Sequence, residues 1–208
     1  MKAVILGDGE QPAKSQIQTE LETAGMLIAA DGGALSAARL GLVPDIIIGD
    51  LDSYRPDGSE TGTIIHLSDQ ETNDLEKALT YAKEHGVENV VVFGATGKRL
   101  DHTLKNLSVL LQFHKTFKRI VFQDRYSTIC IADSPFRKQF PVGTSLSLFP
   151  LSGTVSGITT RGLMYPLTNG ELKNGVQDGS SNETVEKTVE IEFKKGDLLL
   201  IINHQTTE

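Results

Sequence analysis

The sequence predicts an α/β domain built on a mostly parallel sheet with flanking helices, followed by a small antiparallel β-sandwich, and three observations carry that prediction. Over residues 1 to about 125, short apolar runs alternate with longer helical patterns, which is the signature of a parallel sheet covered by helices. After about residue 127 the apolar period falls to two, as in Ser145-Leu146-Ser147-Leu148 and Val189-Glu190-Ile191-Glu192-Phe193. That is the pattern of half-buried antiparallel strands. Turn signals then recur at Pro141-Val142-Gly143, Ser152-Gly153, Asn169-Gly170, Asn174-Gly175 and Lys195-Gly196, so short strands joined by hairpins are expected.

Taken in order, the apolar run Ala3-Val4-Ile5-Leu6 reads as a first buried strand, and further strands are expected over 27–30, 46–48, 63–66, 90–93 and 120–122. Ala34 to Leu40 forms a good helical run directly after Gly32-Gly33. Leu75, Ala78, Leu79 and Ala82 repeat at helical spacing, with Asn73 or Asp74 as N-cap and Gly86 as the C-terminal stop. A second clear helix follows Asp101. There Leu104, Leu107, Leu110, Leu111 and His114 share one broad face, and its apolar members are expected to pack on the sheet. The expected domains are 1–125, the α/β unit, and 126–208, a sandwich of roughly 80 residues, an ordinary domain size.

Bulk properties narrow the function. A net charge of −7 and the lack of any Lys/Arg run argue against a nucleic-acid surface. Any phosphate ligand must then be held locally, with a metal. Cys130, the lone cysteine, can form no intrachain disulfide, and a reducing cytoplasm is the default reading. The apolar start is too short for a signal peptide and is followed at once by Asp8 and Glu10. No stretch approaches the roughly 20 apolar residues that span a bilayer, so membrane insertion is not expected.

Acidic motifs fall where the predicted strands end, which in open α/β sheets is the ligand crevice. Asp50 and Asp52 follow the strand at 46–48. In extended backbone, residues two apart project to one side, so both carboxylates can face one magnesium ion, which keeps several waters and takes few protein ligands. A polar turn is the plainer alternative. Asp31 precedes a tight glycine turn and a helix, and is either a cap or a ligand near free helix N–H groups. Arg99 can fork onto phosphate oxygens, while Asp101 is either a helix cap or a site acid. Gly94-Ala95-Thr96-Gly97-Lys98 is not a P-loop, because two residues separate its glycines where four are required. Gly7-Asp8-Gly9 is a weak nucleotide-loop candidate.

The order and spacing of these motifs resemble the thiamine pyrophosphokinase family along essentially the whole chain. The match runs through Asp31-Gly-Gly-Ala34, Gly49-Asp50-Leu-Asp52-Ser53, Gln70 with Asn73-Asp74-Leu75, and Arg99-Leu-Asp101-His102 with Asn106, then through Gly162 to Leu167 and Ser180-Ser181-Asn182-Glu183. The resemblance implies transfer of a diphosphoryl group from ATP to thiamine, giving thiamine diphosphate and AMP, by a homodimer whose active sites lie between subunits. It implies that Asp31, Asp50, Asp52 and Asp74 handle Mg2+ and diphosphate, with Asp50, Asp52 and Asp74 as metal ligands and Asp101 beside them. Gln70 and Arg99 would contact the substrates. Tyr165 would offer its ring to thiamine, and Ser181 with Asn182 would bind it through polar groups. Asn73 stands where family members often carry Thr. Asp74 and Asp101 are both candidates to take the alcohol proton.

Two other readings fit parts of the chain. A magnesium-dependent phosphohydrolase would use Asp50 as nucleophile and Asp52 as general acid or base. Against it, the pair follows the third strand, and neither Thr nor Val follows Asp52. A small-molecule binding module, in which the acids only cap helices, predicts magnesium-independent binding.

Overall fold

The computed structural model describes residues 1–58 and 60–204; Ser59 and residues 205–208, which end the expected second domain, lie outside the described residues. The chain divides into two compact units, Met1–Arg125 and a second beginning at Tyr126. The first unit runs β1 (Lys2–Leu6), α1 (Lys14–Leu21), β2 (Met26–Ala30), α2 (Gly33–Arg39), β3 (Ile46–Gly49), β4 (Thr63–His66), α3 (Asp74–Glu84), β5 (Asn89–Phe93), α4 (Leu100–Phe113) and β6 (Arg119–Gln123). Its strands pair in parallel in the order β6-β5-β1-β2-β3-β4. The chain therefore works outward from β1 to β4, then crosses back to the other side of β1 for β5 and β6.

Burial explains the near-continuous apolar character of the inner strands. Ala3 to Leu6 and Val90 to Phe93 have no exposed surface at all, as expected where helices cover both faces. The edge strand β4 is largely exposed by contrast. Asn73 caps α3 by accepting from the Glu76 N–H at 2.9 Å, and the Glu76 carboxylate accepts from the Asn73 N–H at 2.9 Å. Such a reciprocal pair satisfies two orphan donors of the first turn. Leu75, Ala78, Leu79 and Ala82 are buried as the spacing predicts, and Gly86 takes a left-handed φ of 74° just after the helix.

The expectation for α4 needs correction. Val109, Leu110 and Phe113 are its buried residues, whereas Leu104 is 57% exposed. The first turns of α4 border a cleft through His102 and Asn106 instead of covering the sheet, so only the C-terminal half supplies core. Helix α1, which buries only Ile17, has no strong apolar period to announce it.

The second unit contains β7 (Ser127–Ile131), β8 (Phe136–Gln139), β9 (Ser145–Pro150), β10 (Thr154–Arg161), β11 (Gly170–Lys173), β12 (Gly179–Glu183), β13 (Thr188–Glu192) and β14 (Leu198–Asn203). One antiparallel set runs β12-β9-β14-β7 and another β11-β10-β13-β8. Leu146, Leu148, Leu198 and Leu200 from the first share a core with Val155, Ile158, Leu172, Val189 and Ile191 from the second. These are the inward positions of the period-two pattern. Each turn signal read from the sequence holds a positive φ, at Gly143, Gly153, Asn169, Gly175 and Gly196, and reverses the chain there. No helix among the described residues is long and apolar enough to cross a membrane.

Candidate active site

Strands β2 and β3 end side by side, and the next residue of each is an aspartate. Asp31 and Asp50 meet Asp74, the first residue of α3, so that one oxygen from each lies within 4.8 Å of the others. Gly49 makes this possible. A Cβ built there would stand 2.7 Å from Asp31 Cβ and 3.0 Å from Asp74 Oδ1, so any side chain would push the acids apart.

Each acid is oriented by its own partners. Asp31 is only 2% exposed; its carboxylate accepts from the backbone N–H groups of Ser53 and Tyr54, both at 3.2 Å. Burial pushes its pKa up, against the hydrogen bonds from Ser53 and Tyr54, which lower it. Asp50 accepts from Gln70 Nε2 at 3.0 Å and from the Asp52 N–H at 3.3 Å; the Gln70 bond is the main reason its pKa lies below the ordinary value. Asp74 Oδ1 accepts from the Asp50 N–H at 3.3 Å and from Lys77 Nζ at 3.2 Å.

Lys77 is the residue that sequence reasoning missed. It is 6% exposed, and a buried ammonium is costly unless paired. Here it offsets part of the repulsion among converging carboxylates. A signal existed, since Lys77 lies between Leu75 and Ala78 on a helix, but a lysine inside an apolar stripe is easily passed over as a solvated side chain.

Among the described residues this group is made of carboxylates alone, a hard-oxygen donor set that suits Mg2+. Asp52 is outside this group. It is exposed and accepts from its neighbour, Ser53 Oγ, at 2.8 Å. The premise that placed Asp50 and Asp52 on one side fails because Leu51 adopts a φ of 60°, which ends the extended backbone between them.

Asp31 and Asp74 line a cleft of about 290 Å³ that also takes in Gly7, Gly9, Gly94, Gly97 and Arg99, and Asp50 reaches it only through its convergence with them. The cleft opens beside β1 and β5, where the strand order reverses, the usual crevice of open α/β sheets. The glycine loops are held together by backbone bonds of 2.8 Å from Gly7 N–H to Phe93 O, Gly9 N–H to Gly94 O and Glu10 N–H to Thr96 O. At the rim, Arg99 donates to Asp101 at 3.1 Å through Nε and 2.5 Å through Nη2. This pairing holds the Asp101 pKa down at about 2. Lys98 pairs with Asp8 at 2.9 Å. Asn73 Nδ2 donates to Asn106 Oδ1 at 3.1 Å, and Asn106 Nδ2 donates to Ala95 O at 2.8 Å, so an amide at position 73 ties α3 to α4 as well as capping.

Tyr165, Ser181 and Asn182 belong to the second unit. The Tyr165 ring is 65% exposed, whereas Asn182 is 5% exposed. Ser181 has a φ of 56° within an irregular pairing of β12 on β9, and its N–H donates to Ser147 Oγ at 3.1 Å. Asn182 Oδ1 accepts from the N–H groups of Tyr165 and Glu183, and its Nδ2 donates to Tyr165 O.

Comparison with known proteins places these features in a family. Two family models match, described as thiamin pyrophosphokinase catalytic domain over residues 17–122 and thiamin pyrophosphokinase vitamin B1 binding domain over residues 135–198. The chain is 30% identical to thiamine pyrophosphokinase 2 of Arabidopsis thaliana, over 79% of this chain and 67% of that one. It is 27% identical to the Bacillus subtilis thiamine pyrophosphokinase, over 84% and 85% of the two chains. The same fold occurs in solved structures of the thiamin pyrophosphokinases of Candida albicans (TM-score 0.87, 19% identity, 97% of this chain and 89% of that one) and Bacillus subtilis (TM-score 0.81, 24% identity, 99% and 100%).

Proposed function

The chain belongs to the thiamin pyrophosphokinase family, and from that premise we propose how its own residues carry the transfer of a diphosphoryl group from ATP to thiamine. The observation that carries the proposal is the convergence of Asp31, Asp50 and Asp74, of which Asp31 and Asp74 line a glycine-walled cleft that also presents Arg99. Asp31, Asp50 and Asp74 would hold Mg2+. When bound, that ion neutralises phosphate charge and orients the diphosphate. Asp52, exposed two residues from Asp50, would add negative charge near the ion without being one of the converging ligands.

Gln70 orients the Asp50 carboxylate and contacts substrate. Arg99 leaves Asp101 to fork onto phosphate oxygens, an exchange of one bidentate oxyanion partner for another. The glycine loops let backbone N–H groups approach the nucleotide closely. The thiamine alcohol oxygen bonds to the β-phosphorus as the bond from that phosphorus to the α,β-bridging oxygen breaks. AMP departs with the electron pair, and the alcohol proton passes to a carboxylate. Asp74 and Asp101 are the candidates to take that proton. Positioning and charge neutralisation supply most of the acceleration in such transfers.

Thiamine is a thiazolium cation. The exposed Tyr165 ring suits it by cation–π attraction, and Ser181 offers it a hydroxyl. We further propose a cytoplasmic homodimer with active sites shared between subunits, a reading that rests on the motif resemblance. Mixing Asp50→Ala and Tyr165→Ala proteins tests it: shared sites restore activity in mixed dimers, and unshared sites restore none. The chemistry is tested by incubating the protein with thiamine, ATP and Mg2+ and assaying thiamine diphosphate and AMP together. Thiamine monophosphate without AMP, or no product from folded protein, would refute the assignment.

A further inference from the structure

We propose that Asn182 is a positioning residue that sets thiamine affinity by fixing the backbone under Tyr165, without itself touching the ligand. The proposal rests on the reading of Tyr165 as the thiamine-facing ring. Asn182 is buried to 5% exposure, while Tyr165 projects at 65% exposure. The amide of Asn182 is spent on the fold. Its Oδ1 accepts from Tyr165 N–H at 3.1 Å and from Glu183 N–H at 2.9 Å, and its Nδ2 donates to Tyr165 O at 2.9 Å.

Both backbone polar groups of Tyr165 are therefore bonded to one side chain, which acts there as a strand neighbour would. The adjoining backbone completes the brace. Met164 N–H donates to Glu183 O at 2.8 Å, Val185 N–H donates to Gly162 O at 2.9 Å, and Leu163 bridges Thr184. Proline at 166 has no N–H to continue such pairing, so the side chain of Asn182 takes over where backbone pairing stops. An amide alone has the geometry for this exchange, because it offers an acceptor and a donor in one plane. A ring that is mostly exposed has few packing contacts to define its direction. Its backbone must define it instead.

The test separates this role from direct binding and from loss of fold. In Asn182→Ala, thiamine KM should rise about tenfold, the range of one cation–π contact, with ATP KM and kcat within about twofold. Tyr165→Ala should have the same effect, and the double variant should be no worse than Tyr165→Ala, because the two act as one unit. The Tyr165 amide proton should lose protection from hydrogen exchange in Asn182→Ala. Multiplying effects in the double variant would show that Asn182 meets thiamine itself, and an unchanged thiamine KM in Asn182→Ala would show that it positions nothing; either overturns the proposal. If Tyr165→Ala leaves thiamine KM unchanged, the reading of Tyr165 fails and the proposal falls with it, a result distinct from the others because the amide still loses protection. Should Asn182→Ala not fold, Asn182→Asp keeps the acceptor for the Tyr165 and Glu183 N–H groups but sets a carboxylate oxygen against Tyr165 O, so thiamine KM is again expected to rise, and an unchanged thiamine KM would overturn the proposal.

Discussion

Replacing Gly49 by alanine adds one methyl group at the point where the acids converge, and the structure sets how much must move. The new Cβ would fall 2.7 Å from Asp31 Cβ, about 0.7 Å inside the ordinary contact distance of 3.4 Å. Neither side can yield freely. Gly49 lies in β3, paired with β4 through His66, and Asp31 is buried and holds the Ser53 and Tyr54 amides. Overpacking of this kind costs about 1–3 kcal/mol of stability. The larger effect is on geometry: Asp31 and Asp74 must part by a large fraction of an ångström, and a misplacement near 1 Å costs on the order of 100-fold in rate. We therefore expect Gly49→Ala to fold, to bind Mg2+ at least tenfold more weakly by calorimetry, and to lose about 100-fold in kcat. A variant with unchanged magnesium affinity and kcat would refute the claim that the acids form one metal site dependent on a bare backbone at 49.

Lys77→Met removes a buried ammonium and leaves the carboxylates without their internal counter-charge. Breaking a fully buried pair costs about 3–5 kcal/mol, and because Asp74 is 31% exposed we expect about 1–3 kcal/mol in urea unfolding, with part of it restored by Mg2+; stability insensitive to the change would show that Lys77 is not neutralising the acids. Asn73→Ala should cost about 1 kcal/mol through loss of the cap, read from thermal unfolding, whereas Asn73→Thr should retain the cap and lose only the Asn106 tie. For Asp101 the folded pKa is depressed, so its pairing with Arg99 stabilises the fold above the ordinary aspartate value near 4 and fades as pH falls toward about 2. Arg99→Ala should move the Asp101 carboxyl titration, followed by NMR, up toward 4; a titration unmoved would mean the pair does not persist in solution.

Much of the fold was legible because two periodicities report burial directly. The inner strands are apolar throughout since both faces are covered, and the sandwich strands alternate since one face is. Turn chemistry located the hairpins for an equally local reason, a positive φ that glycine and asparagine accept. Helix α4 was legible as a helix but not in its packing: an apolar stripe says which side is greasy, not how far the sheet beneath it extends. Leu104 stays 57% exposed, and no local pattern marks where burial along the helix begins.

The site divides in the same way. Asp31, Asp50 and Asp74 were readable one by one as acids at strand ends and a helix start, and their type already selected hard-cation chemistry. Which of them meet was not readable, because residues far apart in sequence converge only through strand register and the gap at Gly49. Tertiary structure moved Asp52 out of the group by a single left-handed residue at Leu51, brought the unnoticed Lys77 in, and showed Asn182 spending its amide on the Tyr165 backbone. Composition and motif spacing determine what chemistry the side chains can do, because charge and donor type belong to the residue. Distance, burial and hydrogen-bond occupancy decide which of them do it, because those belong only to the folded chain.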